Sequence, residues 1–148
     1  MGFDRASVAR IAREAGVSRP SFYFHFPTKE HVLLEMQWMD EIRIVSRLSE
    51  SRSLCDVLER LIDGILESKR DFGSGDLFRD RLRVYVQRPP ELDLDDQPFP
   101  LVHELERRFA RGAAELRPGL DPVAAASLLL RGVFGLLLAP PAPSEGKG

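Results

Sequence analysis

Hydrophobic residues near the start of the chain recur at helical spacing. One apolar stripe follows the i, i+3, i+4, i+7 pattern of an amphipathic helix and consists of Val8, Ile11, Ala12 and Ala15. Ser7 is placed to cap the start of this helix, and Gly16 is a stop signal after its end. The pattern therefore predicts a short helix between these two residues.

A second short helix is predicted directly after the first. Ser18 is a suitable N-cap, and Pro20 fits the first turn because amides there have no helical acceptor. Phe26 precedes Pro27, and a residue before proline avoids helical geometry, so the helix should end there. Thr28 is then placed to cap the next helix.

Longer amphipathic patterns predict that the rest of the chain is also helical. Ser53 with Asp56 resembles a capping box, Asp76 is a possible N-cap, and Asp121 with Pro122 is a strong pair for an N-cap and first helical position. The predicted helices cover about residues 29–48, 54–68, 77–87, 101–117 and 122–138, and residues 69–76 are predicted to be a loop. The Pro- and Asp-rich stretch 88–100 predicts irregular structure, and residues 140–148 predict a disordered tail. No strand or repeat is predicted, so the expected fold class is all-α.

Composition fits one compact domain, or a small domain joined to a helical bundle. The 148 residues are 43% hydrophobic and 30% charged. Cys55 is the single cysteine, which excludes an internal disulfide and fits the cytoplasm; we expect it to be a small buried residue. The most apolar run, Val123–Ala139, carries Arg131 near its centre, so a buried helix is favoured over a membrane span. No secretory leader is recognised.

Charge is distributed unevenly along the chain. Residues 1–31 hold five basic and three acidic side chains, whereas the remainder holds 16 and 20. A mildly basic N-terminal part suits contact with an anion such as nucleic acid.

The two short helices have the layout of a helix-turn-helix, whose second helix enters the major groove of DNA. Phe22 and Phe26 are four residues apart, so we expect both to pack inward with Val17 and Ile11. The opposite face should then carry arginine, rings and small polar groups. Arginine reads guanine, rings contact thymine methyls, and hydroxyl and ammonium groups bind phosphates. The candidate DNA-binding residues are Ser7, Ser18, Arg19, Pro20, Ser21, Tyr23, Phe24, His25 and Lys29.

The segment ASVARIAREAGVSRPSFYFHFPTKEHVLLEM resembles the DNA-binding segment of TetR-family transcriptional regulators. Within it, the stretch SRPSFYFHFPTKE is most like an actinobacterial branch of that family. The positions that match the family pattern are Ile11, Ala12, Ala15, Gly16, Val17, Ser18, Phe22, Tyr23, His25, Phe26, Thr28, Lys29 and Glu30. Pro20 stands where the family usually has glycine. The family also places one helix before residue 2 and another after residue 139, so we expect a chain truncated at both ends or a natural short form.

The resemblance implies a helix-turn-helix head at residues 1–47 and a ligand-binding and dimerisation body at residues 48–139. It implies a repressor that binds double-stranded operator DNA as a homodimer and is released by a small apolar effector. Candidate pocket residues are Met36, Trp38, Met39 and Phe78. Gly132 and Gly135 would let another helix approach closely, within the chain or from a second copy. A second hypothesis is a ligand-binding or hetero-dimerising protein that does not bind DNA on its own.

No catalytic or metal-binding arrangement is recognised in the sequence. The three histidines have no partners at zinc-ligand spacing, and no nucleophile, base and acid can be grouped by their positions. We therefore expect no enzyme activity, no cofactor and no metal.

Overall fold

The computed structural model describes residues 3–71, 75–87 and 99–139. Every regular element in these ranges is helical, which confirms the all-α prediction. Single 3-10 turns lie at Phe3–Arg5 and Ala113–Glu115. The α-helices are α1 (Val8–Glu14), α2 (Arg19–His25), α3 (Lys29–Leu48), α4 (Leu54–Asp71), α5 (Gly75–Gln87), α6 (Pro100–Arg111) and α7 (Pro122–Leu138).

Side-chain caps fix three of the predicted helix starts. Ser7, Ser18 and Asp121 each accept a hydrogen bond from the backbone amide three residues later, at 3.1–3.3 Å. Each bond satisfies one of the first-turn amides that have no helical acceptor. Thr28 holds the N-cap position of α3, but its hydroxyl pairs with the His31 ring at 2.9 Å instead of the backbone.

The loop predicted at residues 69–76 is wrong at both ends. Helix α4 continues to Asp71, whose carboxylate accepts a hydrogen bond from Arg43 of α3 at 2.7 Å. Helix α5 already begins at Gly75, so Asp76 lies in its first turn and does not cap it. This contact with α3 lies in the last turn of α4, beyond the residues that the amphipathic pattern marks.

The helix predicted to reach residue 117 ends earlier, at Arg111. Gly112 packs so closely on Leu54 of α4 that an added Cβ would lie 2.7 Å from its Cγ. The carboxylate of Glu115 then accepts a hydrogen bond from the Leu54 amide at 3.0 Å. Contact with the start of α4 thus sets the end of α6.

The core lies where α3 packs against α4, α5 and α6, with α7 covering α5 and α6. Its most buried side chains include Leu48, Val57, Leu61, Phe78, Leu82, Leu101 and Leu105. Cys55 is exposed, so the expectation of a buried thiol is wrong. Its neighbours Leu54 and Val57 occupy the core face of α4, and Cys55 lies off that face.

Two adjacent acids of α3, Asp40 and Glu41, connect this helix to three others. Asp40 accepts hydrogen bonds from the buried Arg81 of α5, at 2.9 Å, and from the hydroxyl of Ser68 of α4. Glu41 accepts one from the amide of Leu101, at the start of α6, at 3.3 Å. Removing one partner of a buried ion pair costs about 3–5 kcal/mol, so this cluster holds α3 firmly in place.

The stretches 72–74, 88–98 and 140–148 lie outside the described residues, and with them most of the predicted irregular segment and the predicted tail. The predicted boundary between residues 47 and 48 falls at the end of α3 and stays a prediction. Within the described ranges, no helix combines the length and apolar character needed to cross a membrane.

Candidate nucleic-acid interface and body cavity

The turn between α1 and α2 depends on Gly16. Its φ of +70° lies in the left-handed region, where a side chain is strained. The Gly16 amide donates to the Arg13 carbonyl at 3.2 Å, and the Val17 amide donates to the Ala12 carbonyl at 2.9 Å. These bonds close the end of α1 and direct the chain into α2.

Phe22 fixes α2 on the rest of the head. Its side chain is buried, and its ring lies 5.6 Å from the half-buried ring of Phe26. Ala12 of α1 is also buried and Ile11 is half-buried. The expectation that Val17 packs inward is wrong, because this turn residue is 43% exposed.

The remaining residues of α2 are all exposed. Tyr23 is 46% exposed and Phe24 is 84% exposed. The Phe24 ring meets the His25 ring edge-on at 5.1 Å between centroids, and Tyr23 meets Phe22 in the same way at 5.6 Å. The exposed α2 surface therefore combines one arginine, three rings and small groups, and consists of Arg19, Pro20, Ser21, Tyr23, Phe24 and His25.

The two candidate serines outside this surface have a structural role. Ser7 and Ser18 are exposed, but their hydroxyls accept the capping bonds at the starts of α1 and α2. A capping hydroxyl can still donate its own proton to a nearby acceptor such as a phosphate oxygen. The structure therefore assigns both serines a capping role and leaves their DNA contacts as predictions.

Lys29 is half-buried and tied to the N-terminal 3-10 turn. Its ammonium donates to the backbone carbonyls of Phe3, Asp4 and Ala6 at 3.1, 3.2 and 3.3 Å. The same ammonium lies 4.6 Å from the centroid of the Phe3 ring. An ammonium group has three protons, so these carbonyls match its donors, and the phosphate contact expected of Lys29 stays a prediction.

The 3-10 turn also reaches the body. The Phe3 amide donates to the Asp80 carboxylate of α5 at 3.2 Å. Phe3 thus joins the start of α3, through Lys29, to α5. Sequence reasoning missed this link because the two residues are 77 positions apart, and nothing in the local pattern pairs them.

A cavity of about 210 Å³ lies between α5, α6 and α7. Its walls are mostly aromatic and aliphatic, with two hydroxyls and a guanidinium among them: Tyr85, Phe99, Val102, Ala126, Ser127, Leu130, Arg131 and Phe134. The Tyr85 ring packs edge-on against Phe134 at 5.8 Å and Phe99 at 6.1 Å. Such a site suits a small, largely apolar molecule with one polar group.

The four predicted pocket residues do not line this cavity. Phe78 is a core side chain and Met39 is 62% exposed, while Met36 and Trp38 are half-buried on α3. The sequence showed apolar side chains at helical spacing but could not show which of them line a cavity between α5, α6 and α7. Tyr85 and Phe134 were therefore missed.

The glycines of α7 lie on an exposed apolar face. A Cβ added to Gly132 or Gly135 would meet nothing within 4 Å, so no described helix of this chain approaches them closely. Leu128 is 68% exposed and Leu136 is 78% exposed on the same side of the helix. We call the stripe made by these four residues the exposed α7 face.

Helix α2 follows α1 through a left-handed turn and has an arginine and aromatic rings on its exposed side. This arrangement defines a protein of the helix-turn-helix class. The family described as "Bacterial regulatory proteins, tetR family" matches residues 1–36. The N-terminal segment of the chain is therefore similar to the DNA-binding segment of this family.

Curated relatives match over the same segment. The HTH-type transcriptional regulator EthR of Mycolicibacterium smegmatis is 56% identical over 34 residues, which cover 23% of this chain and 16% of that protein. EthR of Mycobacterium tuberculosis is 60% identical over 30 residues, which cover 20% of this chain and 14% of that protein. The chain thus spans about one sixth of the length of the relatives it matches, and no solved structure matches it significantly.

Proposed function

We propose that the chain is a DNA-binding transcriptional regulator that acts as a repressor and is released by a small molecule. The observation that carries the proposal is the exposed α2 surface, because its Phe22 side is buried while Arg19, Tyr23 and Phe24 face solvent. This surface offers a fork of donors for guanine and rings for thymine methyls. The names of the EthR relatives support the same class of function.

The proposal includes a homodimer formed through the exposed α7 face. Its glycines would let two helices pack closely, and its leucines would be buried between them. Two heads held about 34–36 Å apart would then reach successive major grooves of one duplex. A protein that binds chromosomal DNA works in the cytoplasm, so we include that location in the proposal.

The cavity between α5, α6 and α7 is the proposed effector site. Its aromatic and aliphatic lining favours an apolar ligand, and Arg131 adds a positive group beside it. A ligand that prefers one arrangement of the helices shifts the population toward that arrangement, and a change in head spacing lowers operator affinity.

Fluorescence anisotropy on the DNA upstream of the protein's own coding region tests the proposal. We expect saturable binding that weakens steeply as salt rises, because phosphate contacts release counterions. Tyr23→Ala should weaken binding at least tenfold. Ile62→Ala is a matched control, since Ile62 is a half-exposed residue of α4, far along the chain from α2.

A coding-region fragment of equal length separates specific from non-specific binding. Equal affinity for both fragments, or affinity that Tyr23→Ala leaves unchanged, would contradict the regulator proposal. Absence of binding to either fragment would favour the second hypothesis, a protein that does not bind DNA on its own.

A further inference from the structure

A second cavity, of about 280 Å³, lies between the loop that follows α3, the start of α4 and the end of α6. Three of the side chains that line it are arginines, and we call it the arginine cavity. Its polar side chains are Ser51, Arg52, Ser53, Arg108, Arg111 and Glu115. Among the described residues, none lines both this cavity and the one between α5, α6 and α7, so the two cavities are separate.

The positive charge of the arginine cavity is only partly compensated. The Arg108 guanidinium donates to Glu104 at 2.7 Å and to the Ser51 carbonyl at 3.2 Å. Within residues 3–71, 75–87 and 99–139, the side chains of Arg52 and Arg111 make no hydrogen bond or ion pair, and both residues are exposed. Two guanidinium groups at this cavity are therefore able to bind an anion.

Two serine hydroxyls add neutral donors. The Ser51 hydroxyl oxygen is buried and has no hydrogen-bond partner in the described part of the chain. Ser53 accepts the capping bond from the Asp56 amide at 3.1 Å and can still donate its own proton. Buried polar groups are normally hydrogen-bonded, so an acceptor oxygen held in this cavity would supply the partner that Ser51 lacks.

An anionic group of the chain itself already binds at this place. The Glu115 carboxylate accepts a hydrogen bond from the Leu54 amide at 3.0 Å, in the first turn of α4. Amides of a first turn have no helical acceptor, so the carboxylate satisfies one of them. The lining still carries three arginines against this one glutamate, which leaves it positive.

We propose that the arginine cavity binds the phosphate group of a small organic phosphate. A guanidinium presents a fork of donors that matches two phosphate oxygens, so Arg52 and Arg111 suit a dianion of this shape. The volume is near the lower end of small-molecule sites, about 300–1,000 Å³, which leaves room for a sugar-sized group beside the phosphate. The inference goes beyond the proposed regulator and does not depend on the proposed effector site.

Glucose 6-phosphate is the probe, and amide chemical shifts of the ¹⁵N-labelled full chain measure its binding. We expect saturable shifts confined to the amides of about residues 51–55 and 108–115. Glucose at the same concentrations should produce none of them, because it lacks the phosphate. Equal shifts with glucose, or shifts spread evenly over the exposed arginines of the chain, would overturn the proposal.

Three substitutions locate the binding. Arg111→Gln should weaken binding of glucose 6-phosphate at least tenfold, because a charged fork of donors is lost. Arg70→Gln is the matched control, since it removes the same charge from an exposed arginine at the other end of α4 and should leave the affinity unchanged. Glu115→Gln should strengthen binding at least threefold, because it removes the negative charge and keeps an oxygen for the Leu54 amide. Ligand-free spectra that superimpose outside the cavity establish that each variant is folded.

Equal weakening by Arg111→Gln and Arg70→Gln would show a diffuse attraction of charge and would overturn the proposal. Inorganic phosphate should bind at least threefold more weakly than glucose 6-phosphate, since it leaves part of the cavity empty. Equal affinity would assign the cavity to the free ion and overturn the choice of an organic phosphate. Operator DNA takes no part in these measurements, so they decide the role of the arginine cavity separately from the regulator proposal.

Discussion

Lys29 matches the TetR-like sequence pattern, but its contacts in the structure are not the ones that the pattern suggested. The TetR-like pattern includes this lysine, and its charge near α2 suggested a phosphate contact. In the structure its ammonium donates to three carbonyls of the N-terminal segment. Its part in DNA binding is therefore expected to be indirect, through the position of the head.

The salt dependence of DNA binding separates the two roles. A lysine that contacts one phosphate adds about 0.9 to the magnitude of the slope of log affinity against log salt concentration. Lys29→Met should lower affinity with an unchanged slope, because no phosphate contact is lost. A loss of slope of that size in Lys29→Met, measured by anisotropy between low and moderate salt, would show that Lys29 contacts a phosphate.

Helix ends were predicted well where a local side chain decides them. Ser7, Ser18 and Asp121 cap helices as their sequence context indicates, and the Phe26-Pro27 pair ends α2. The end of α6 was missed, because it is set by Gly112 meeting Leu54 across the body. A contact between residues 58 positions apart leaves no periodic signal.

The candidate site was also predictable only where local sequence decides the structure. The exposure of the α2 residues followed from helical geometry, since Phe22 had to occupy the buried side of a two-turn helix. The cavity depends on three helices meeting, and α5, α6 and α7 contribute residues from 85 to 134 along the chain. Composition and spacing could predict rings in the body but not which rings line an opening.

Two glycines provide a test of close packing at the scale of helices. Gly112→Ala should lower the free energy of unfolding by about 1–3 kcal/mol, because its methyl group would overlap Leu54. Gly132→Ala should raise it by about 0.5–1 kcal/mol in the monomer, since the added methyl meets open space and alanine favours helix. Urea unfolding of both variants at low protein concentration checks the two opposite signs. Equal effects of the two substitutions would contradict the described contact between α4 and the end of α6.

At the scale of the whole molecule, the proposed dimer joins two heads through the exposed α7 face. Leu128→Glu should weaken self-association at least tenfold, about 1.4 kcal/mol, because a charge replaces apolar surface. Ile62→Glu is the control, as it makes the same change at a residue that is 50% exposed on α4. Sedimentation velocity over a range of concentrations measures both. A parent chain that stays monomeric throughout, or equal effects of both variants, would contradict the proposed dimer.

The body and the head differ in how many of their side chains are fully buried. Of residues 3–28, Ala12 and Phe22 reach full burial, whereas α3 to α7 share a continuous core. Local opening is cheapest where few apolar contacts must be broken, so the backbone amides of α1 and α2 should exchange with solvent deuterium well before those of α4 and α6. In the proposed regulator, helices with so few buried contacts can adjust their shape on a DNA duplex, and part of the free energy of binding will be spent on ordering them.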